Sequence, residues 1–440
     1  MRAVDMSGQK LNSSALQDEY SNMSSDGERF HTESFELESG LVLRDVTVVY
    51  KTWGTLNAAA DNVVVVGHAL TGNADAASWW GGLIGPGQPL DTDRFFVFCA
   101  NILGSPYGTT SPLDLMPAGG TPWAAPRAAP RGEKLRYAAD FPYVTVRDSV
   151  ALHKQVLDAL GVNAVHAVVG GSLGGMQALE WLIMYPSLVK RGVLIASSAF
   201  QSAWQIGISE TQRQAIYRDP RWRNGFYHMD APPTDGLAVA RQGAMIWYRA
   251  HPAYMAKFGR QRQQPKLGDA ADSARLSSGG GAEGAPPNYA VEGYLEEQGR
   301  KFLRRGFDAN CYVALTRQLD SHDVGRARGA HGGDAPVEAV LSGVTQPVAV
   351  VGLESDVLYP LEEQRFMAGA LPNGVLHVIS TMQGHDGFLL EPKQIGAIIK
   401  GVVEGSAKSR SDSGTAAAAA KASNAPKPAR QTIGGWAFAI

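Results

Sequence analysis

Cysteine is scarce in this chain of 440 residues: there are two, Cys99 and Cys311, and neither belongs to a C-x-x-C pair. That excludes a disulfide framework and the common cysteine-based zinc spacings, and it fits a reducing compartment. Long apolar runs are missing too, so no segment is predicted to cross a bilayer. The N-terminal stretch carries Asp5, Asp18, Glu19, Asp26 and Glu28 and lacks the apolar core of a secretory leader. Its acids also disfavour an organelle transit peptide. Excess charge of one sign is absent: the formal net charge is −2, with Lys and Arg scattered rather than striped. No field for nucleic acid or a membrane surface is therefore expected. These absences predict a soluble, cytoplasmic protein with no bound metal and no nucleic-acid partner.

What is present is an ordinary globular share of hydrophobic residues, 44%, in a pattern that alternates. Residues 1–34 are polar and aperiodic and predict a disordered segment. The stretches 40–43 and 46–50 predict a hairpin-like strand pair. Continuous apolar runs follow at Val63–Val66, Phe95–Phe98, Val165–Val169 and Val193–Ala196, as in buried parallel strands. Between them, Ser149–Leu160 has helical spacing and stops at Gly161. This strand–helix alternation over 35–199 predicts the first part of an α/β, doubly wound, mostly parallel sheet. It breaks over 200–340, a helix-prone block rich in Arg, Tyr, Trp and Gln, with a Gly-rich flexible insert near 261–288 and a second Gly-rich break from Gly325 to Asp334. It resumes over 341–404, with strands at 347–351 and 375–379. A helical block set between two parts of one sheet predicts a lid. Residues 405–440 are Ala/Ser/Lys-rich and predict a disordered tail.

The chemistry centres on Gly170-Gly171-Ser172-Leu173-Gly174-Gly175, directly after the strand 165–169. A G-x-S-x-G elbow between a strand and a helix exposes its serine hydroxyl at the sheet edge. Serine is a weak nucleophile and needs a base held by an acid. Both partners follow in the order such sheets use. Asp356 lies just past the strand at 347–351, and His385 just past the strand at 375–379. All three segments end at the carboxyl edge of the sheet, where α/β active sites lie. Glu354 competes as the acid, and Asp356 is preferred because it sits further onto the rim. The oxyanion donors are expected to be the backbone N–H groups of Leu173 and of Leu70, in the loop Gly67–Gly72. His68, just before that loop, is read as structural.

The wording around these residues is specific. Gly-Gly-Ser172-Leu-Gly-Gly-Met-Gln-Ala-Leu-Glu-Trp, His68-Ala-Leu-Thr-Gly72 and Gln383-Gly-His385-Asp386 closely resemble homoserine O-acetyltransferases. The resemblance covers about residues 35–404. The stretch Asn101–Pro112 looks like the fungal-type branch of that family rather than the common bacterial version. The resemblance implies an α/β-hydrolase fold with an inserted helical lid and a homodimer. It implies acetyl transfer from acetyl-CoA, through an acyl-Ser172 intermediate, to the hydroxyl of L-homoserine in methionine biosynthesis, with no bound cofactor. It also assigns Arg213 to the substrate carboxylate and Asp386 to its ammonium, a guanidinium fork and an anion suited to those groups. Related alternatives are a serine or other O-acyltransferase, with an acetyl or succinyl donor, and an esterase or thioesterase using the same triad on water.

Overall fold

Short runs of β-branched residues build the centre of the sheet. In the computed structural model, which describes residues 23–117, 120–125, 134–263 and 288–405, Val63–Gly67 is buried along its whole length. Its neighbours in sequence face opposite ways. Val63 and Val65 enter one hydrophobic core, and Val64 and Val66 enter another. Val348 and Val350 against Ala349 and Val351 repeat the split. A parallel strand covered on both faces has no polar side, which is why it reads as a continuous apolar run.

The strands are β1 (Glu28–Glu36), β2 (Val42–Trp53), β3 (Val63–Gly67), a two-residue pair β4 (Ile84–Gly85) and β5 (Leu90–Asp91), β6 (Phe96–Ala100), β7 (Val165–Gly171), β8 (Gly192–Ile195), β9 (Val348–Leu353) and β10 (Gly374–Ile379). The main sheet has eight of them in the order β1-β2-β6-β3-β7-β8-β9-β10. The first two pairings are antiparallel and all the others parallel. This is the expected α/β-hydrolase architecture.

Two expectations at the N-terminal side are corrected. The predicted strand break near Arg44 is absent, because β2 runs unbroken from Val42 to Trp53. Its hairpin partner is β1, joined through a turn in which Leu37 N–H donates to Leu41 O at 2.8 Å. Residues 28–34, assigned to a disordered segment, are therefore strand. As an edge strand β1 exposes most of its side chains and buries Phe35, so its sequence carries little apolar alternation. Residues 1–22, most of the Gly-rich insert (264–287) and the tail from 406 lie outside the described residues.

The helices are α1 (Ala76–Trp79), α2 (Val146–Ala159), α3 (Leu173–Met184), α4 (Ala203–Tyr217), α5 (Thr234–Trp247), α6 (His251–Lys257), α7 (Ala290–Arg304), α8 (Ala309–Asp320), α9 (Val337–Ser342), α10 (Leu361–Ala370), α11 (Gly387–Leu390) and α12 (Pro392–Val403). The α2 helix begins three residues before the predicted start. Thr145 accepts the Asp148 N–H while the Asp148 carboxylate accepts the Thr145 N–H, a capping box that satisfies two otherwise orphaned donors. Helices α4 to α9 fall between β8 and β9, which are neighbours in the sheet. A third core joins this inserted segment to the sheet edge, with Ile208, Leu237, Phe302 and Tyr312 packed in one cluster with Leu70, Leu173 and Met176. Among the described residues, no helix is long and apolar enough to cross a membrane. No group of three or more His, Cys, Asp or Glu among them could hold a metal ion.

Candidate active site

The chain leaves β7 at Gly171 and reverses at Ser172, whose backbone sits at φ 57°, ψ −126°, before α3 starts at Leu173. Few residues other than glycine adopt this region without strain. The turn is pinned by Ser172 N–H donating to Ile195 O of β8 at 2.9 Å. Close backbone packing fixes the flanking glycines. A Cβ on Gly170 would lie 2.1 Å from Gly174 O, and one on Gly174 would lie 2.0 Å from Gly67 O. Ser172 opens onto a cavity shared with His385, Leu70 and Asp386 on the sheet side.

Beyond β9, Asp356 turns its carboxylate inward. Its Oδ1 accepts the amides of Leu358 at 2.8 Å and Tyr359 at 2.9 Å, and its Oδ2 lies 2.7 Å from His385 Nδ1. His385 is 3% exposed and is packed by the rings of Tyr359, Phe388 and Tyr248. With Nδ1 committed to Asp356, Nε2 is the imidazole nitrogen left to exchange a proton in the cavity. Glu354, the competing acid, is exposed and accepts from Ser380 Oγ at 2.8 Å, away from His385.

Leu173 is the first residue of α3, a position whose N–H has no partner within the helix. Leu70 lines the cavity in the loop after β3. His68 is fully buried, with Nδ1 2.9 Å from Ala69 O and Nε2 accepting the Ile102 N–H at 3.2 Å. Burial lowers its pKa to about 4, so it stays neutral and braces the loop. The structural reading of His68 agrees with this geometry.

The two residues carried over by resemblance part company here. Asp386 lines the cavity, its carboxylate paired with Arg249 Nε at 2.9 Å. Arg213 is not among the lining residues. It is fully buried between lid helices, 2.7 Å from Asp320 and 2.9 Å from Glu210. The expected carboxylate contact is corrected on this ground: the guanidinium already serves two carboxylates within the protein. The cations that do face the cavity are Arg241 and Arg249, both missed from the sequence. Arg241, Met245 and Tyr248 share the lining at i, i+4 and i+7, a helical stripe present in the sequence. Which stripe of which helix meets the cavity is decided by tertiary packing. Arg241 lies 5.2 Å from the Phe302 ring and 5.7 Å from the Tyr248 ring, aromatic faces that suit a buried guanidinium.

A family model described as alpha/beta hydrolase fold matches residues 62–392. A homoserine O-acetyltransferase of Salinibacter ruber is 47% identical over 359 residues, covering 81% of this chain and 91% of that one. One of Gibberella fujikuroi is 43% identical over 384 residues, covering 84% and 85%. Among solved structures, the homoserine O-acetyltransferase from Bacillus anthracis has a TM-score of 0.71, covering 86% of this chain and 96% of its own at 24% identity, a likeness of fold. By sequence identity across most of its length and by its fold, the chain belongs to the homoserine O-acetyltransferase family of α/β-hydrolase-fold proteins.

Proposed function

We propose that the chain transfers the acetyl group of acetyl-CoA to the hydroxyl of L-homoserine, through an acetyl-Ser172 intermediate, as a step of methionine biosynthesis. The observation that carries this reading is one cavity that joins Ser172 and His385 to an opposed cation and anion, Arg241 and Asp386. A zwitterionic acceptor needs both signs, and a water-using esterase needs neither.

In the first half-reaction His385 Nε2 takes the Ser172 proton as Oγ attacks the thioester carbonyl. The tetrahedral oxyanion is received by the N–H groups of Leu70 and Leu173. His385 returns the proton to the departing CoA sulfur. In the second, the homoserine hydroxyl loses its proton to His385, attacks the acetyl-enzyme, and Ser172 leaves reprotonated. Asp356 holds the imidazole tautomer and stabilises its cationic form in both halves. Arg241 takes the substrate carboxylate. Asp386 takes the ammonium, and Arg249 fixes its carboxylate. No cofactor enters these steps. The free, buried thiols of Cys99 and Cys311 support a cytoplasmic setting. Val239 and Ile246, exposed seven residues apart on α5, support a homodimer through the lid.

The test is CoA release measured with acetyl- and succinyl-CoA, each against homoserine, serine and water. Acetyl-CoA with homoserine is expected to be fastest. Water matching the amino acids overturns the transferase reading, and serine or succinyl-CoA prevailing replaces the acceptor or the donor. Arg241→Ala is expected to raise the homoserine KM about 10²-fold, the worth of a charge-assisted pair, with the acetyl-CoA KM little changed. Arg213→Ala is expected to act on stability instead, by roughly 3 kcal/mol, because it empties a fully buried site and takes from half-buried Asp320 its nearer cation, leaving Arg317 at 4.0 Å. A selective homoserine KM effect from Arg213→Ala would restore the earlier assignment.

A further inference from the structure

The segment that holds the triad acid is itself held by the lid. Asp356 Oδ1 rests on the amides of Leu358 and Tyr359, so its alignment with His385 depends on where the peptide groups of residues 357–359 lie. The carbonyls of that segment are taken by the first lid helix. Trp204 Nε1–H donates to Val357 O at 2.8 Å, and Gln205 Nε2–H donates to Leu358 O at 2.9 Å. Gln205 is 1% exposed. Its second amide hydrogen goes to Glu363 Oε1 at 2.8 Å, at the start of α10, and its Oε1 accepts the Ser202 N–H at 2.8 Å.

A glutamine at this helix position commonly serves a capping box, and Gln205 does so with its oxygen. A cap uses nothing of the amide nitrogen. Here both N–H groups leave the helix, one for the acid segment at Leu358 O and one for Glu363 of α10, and a satisfied buried amide holds its partners in one arrangement. Glu363 adds a reason for the link to be polar. Its Oε2 is buried with no hydrogen-bond partner. Burial first, and the nearby charges of Asp356 and Glu362, push its carboxyl up to about 7, against the opposing hydrogen bond from Gln205.

We propose that Gln205, assisted by Trp204, is a positioning residue for the triad: it ties lid helix α4 to the carbonyls of residues 357 and 358 and thereby sets the amides that grip Asp356. The proposal rests on Asp356 being the triad acid, and it makes the seating of α4 on residues 357 and 358 a condition for alignment of the acid. Neither residue touches the reacting atoms.

The experiment compares Gln205→Leu, which keeps the shape and removes both donors, with Trp204→Phe, which keeps the ring and removes one. Each is made in the wild-type chain and in an Asp356→Asn chain, with kcat and both KM values measured. Gln205→Leu is expected to lower kcat about 10- to 100-fold, the cost of a small misplacement of a catalytic group. Both KM values stay within about twofold. Trp204→Phe lowers kcat by a smaller factor. In the Asp356→Asn background neither change alters kcat by more than about twofold, because coupled residues are not additive. Wild-type kcat in folded Gln205→Leu overturns the proposal, as does an equal loss in both backgrounds, which would mark a lid effect independent of the acid. Should Gln205→Leu fail to fold, Trp204→Phe in the two backgrounds makes the same comparison. Asp356→Asn turning over at the wild-type rate is a separate result, which removes the triad reading and the proposal with it.

Discussion

Ser172→Ala is expected to lose acyl transfer by about 10⁶-fold, the scale seen when a triad nucleophile is removed, while the folded protein persists. The reason lies in what the hydroxyl does and does not touch. The turn is held by the Ser172 N–H bond to Ile195 O and by the glycine contacts of the elbow, and alanine keeps them all. Alanine also keeps the Cβ and with it the strained backbone at φ 57°. Ser172→Gly removes that strain, so it is expected to be more stable than Ser172→Ala by about 1–2 kcal/mol and equally inactive. Denaturant unfolding of both variants alongside a CoA-release assay checks the pair. Activity in either variant near the wild-type level would remove the covalent route.

Glu180→Ala is expected to cost roughly 3–5 kcal/mol of stability, the scale for breaking a buried ion pair by removing one partner. Glu180 lies on α3, eight residues beyond the nucleophile, and is 1% exposed. Its carboxylate meets Arg147 Nε at 3.2 Å and is also paired with Arg328. Arg147 reaches on to Glu38 at 2.8 Å and to the carbonyls of Asp323 and Arg326. Removing Glu180 leaves two guanidinium groups facing each other with little water to screen them. A drop in the urea midpoint with an unchanged slope is the expected signature. The loss should respond little to added salt, because the pairs are buried. A change below 1 kcal/mol would mean that water or another acid fills the gap. The network also explains a difference from the sequence reading. The Gly-rich stretch at 325–334 reads as a loose break, yet Arg326 pairs with Glu38 and Arg328 with Glu180, so it braces α3.

How far the site could be read from sequence follows the range of each signal. Ser172, Asp356 and His385 each come directly after an apolar strand run, and a strand end and its loop are local in the chain. The elbow glycines were legible for the same reason. Strand β1 was not, because an edge strand with mostly exposed side chains has no pattern to display. Arg213 and Arg241 show the sharper limit. Both are arginines on lid helices, and local sequence cannot say that one helix turns its cation to Asp320 while another turns it to the cavity. Nothing local marks Gln205, since the carbonyl it holds, that of Leu358, lies 153 residues away.

The lid leaves the sheet after Ile195 and returns at Val348, and these two strands pair side by side with Gly192 opposite Val348. The sheet therefore closes without the insertion, whose length adds little to the entropy of joining two adjacent ends. Ser172, Asp356, His385, Leu70 and Leu173 all belong to the sheet, its loops and α3, whereas Arg241, Arg249 and Gln205 belong to the insertion. Heredity can then act on the two separately. Substitutions in the insertion can redraw which acceptor is admitted while the proton-transfer apparatus passes unaltered between descendants. The ties through Trp204 and Gln205 mark where that independence ends, since any exchanged insertion must still supply donors to Val357 and Leu358.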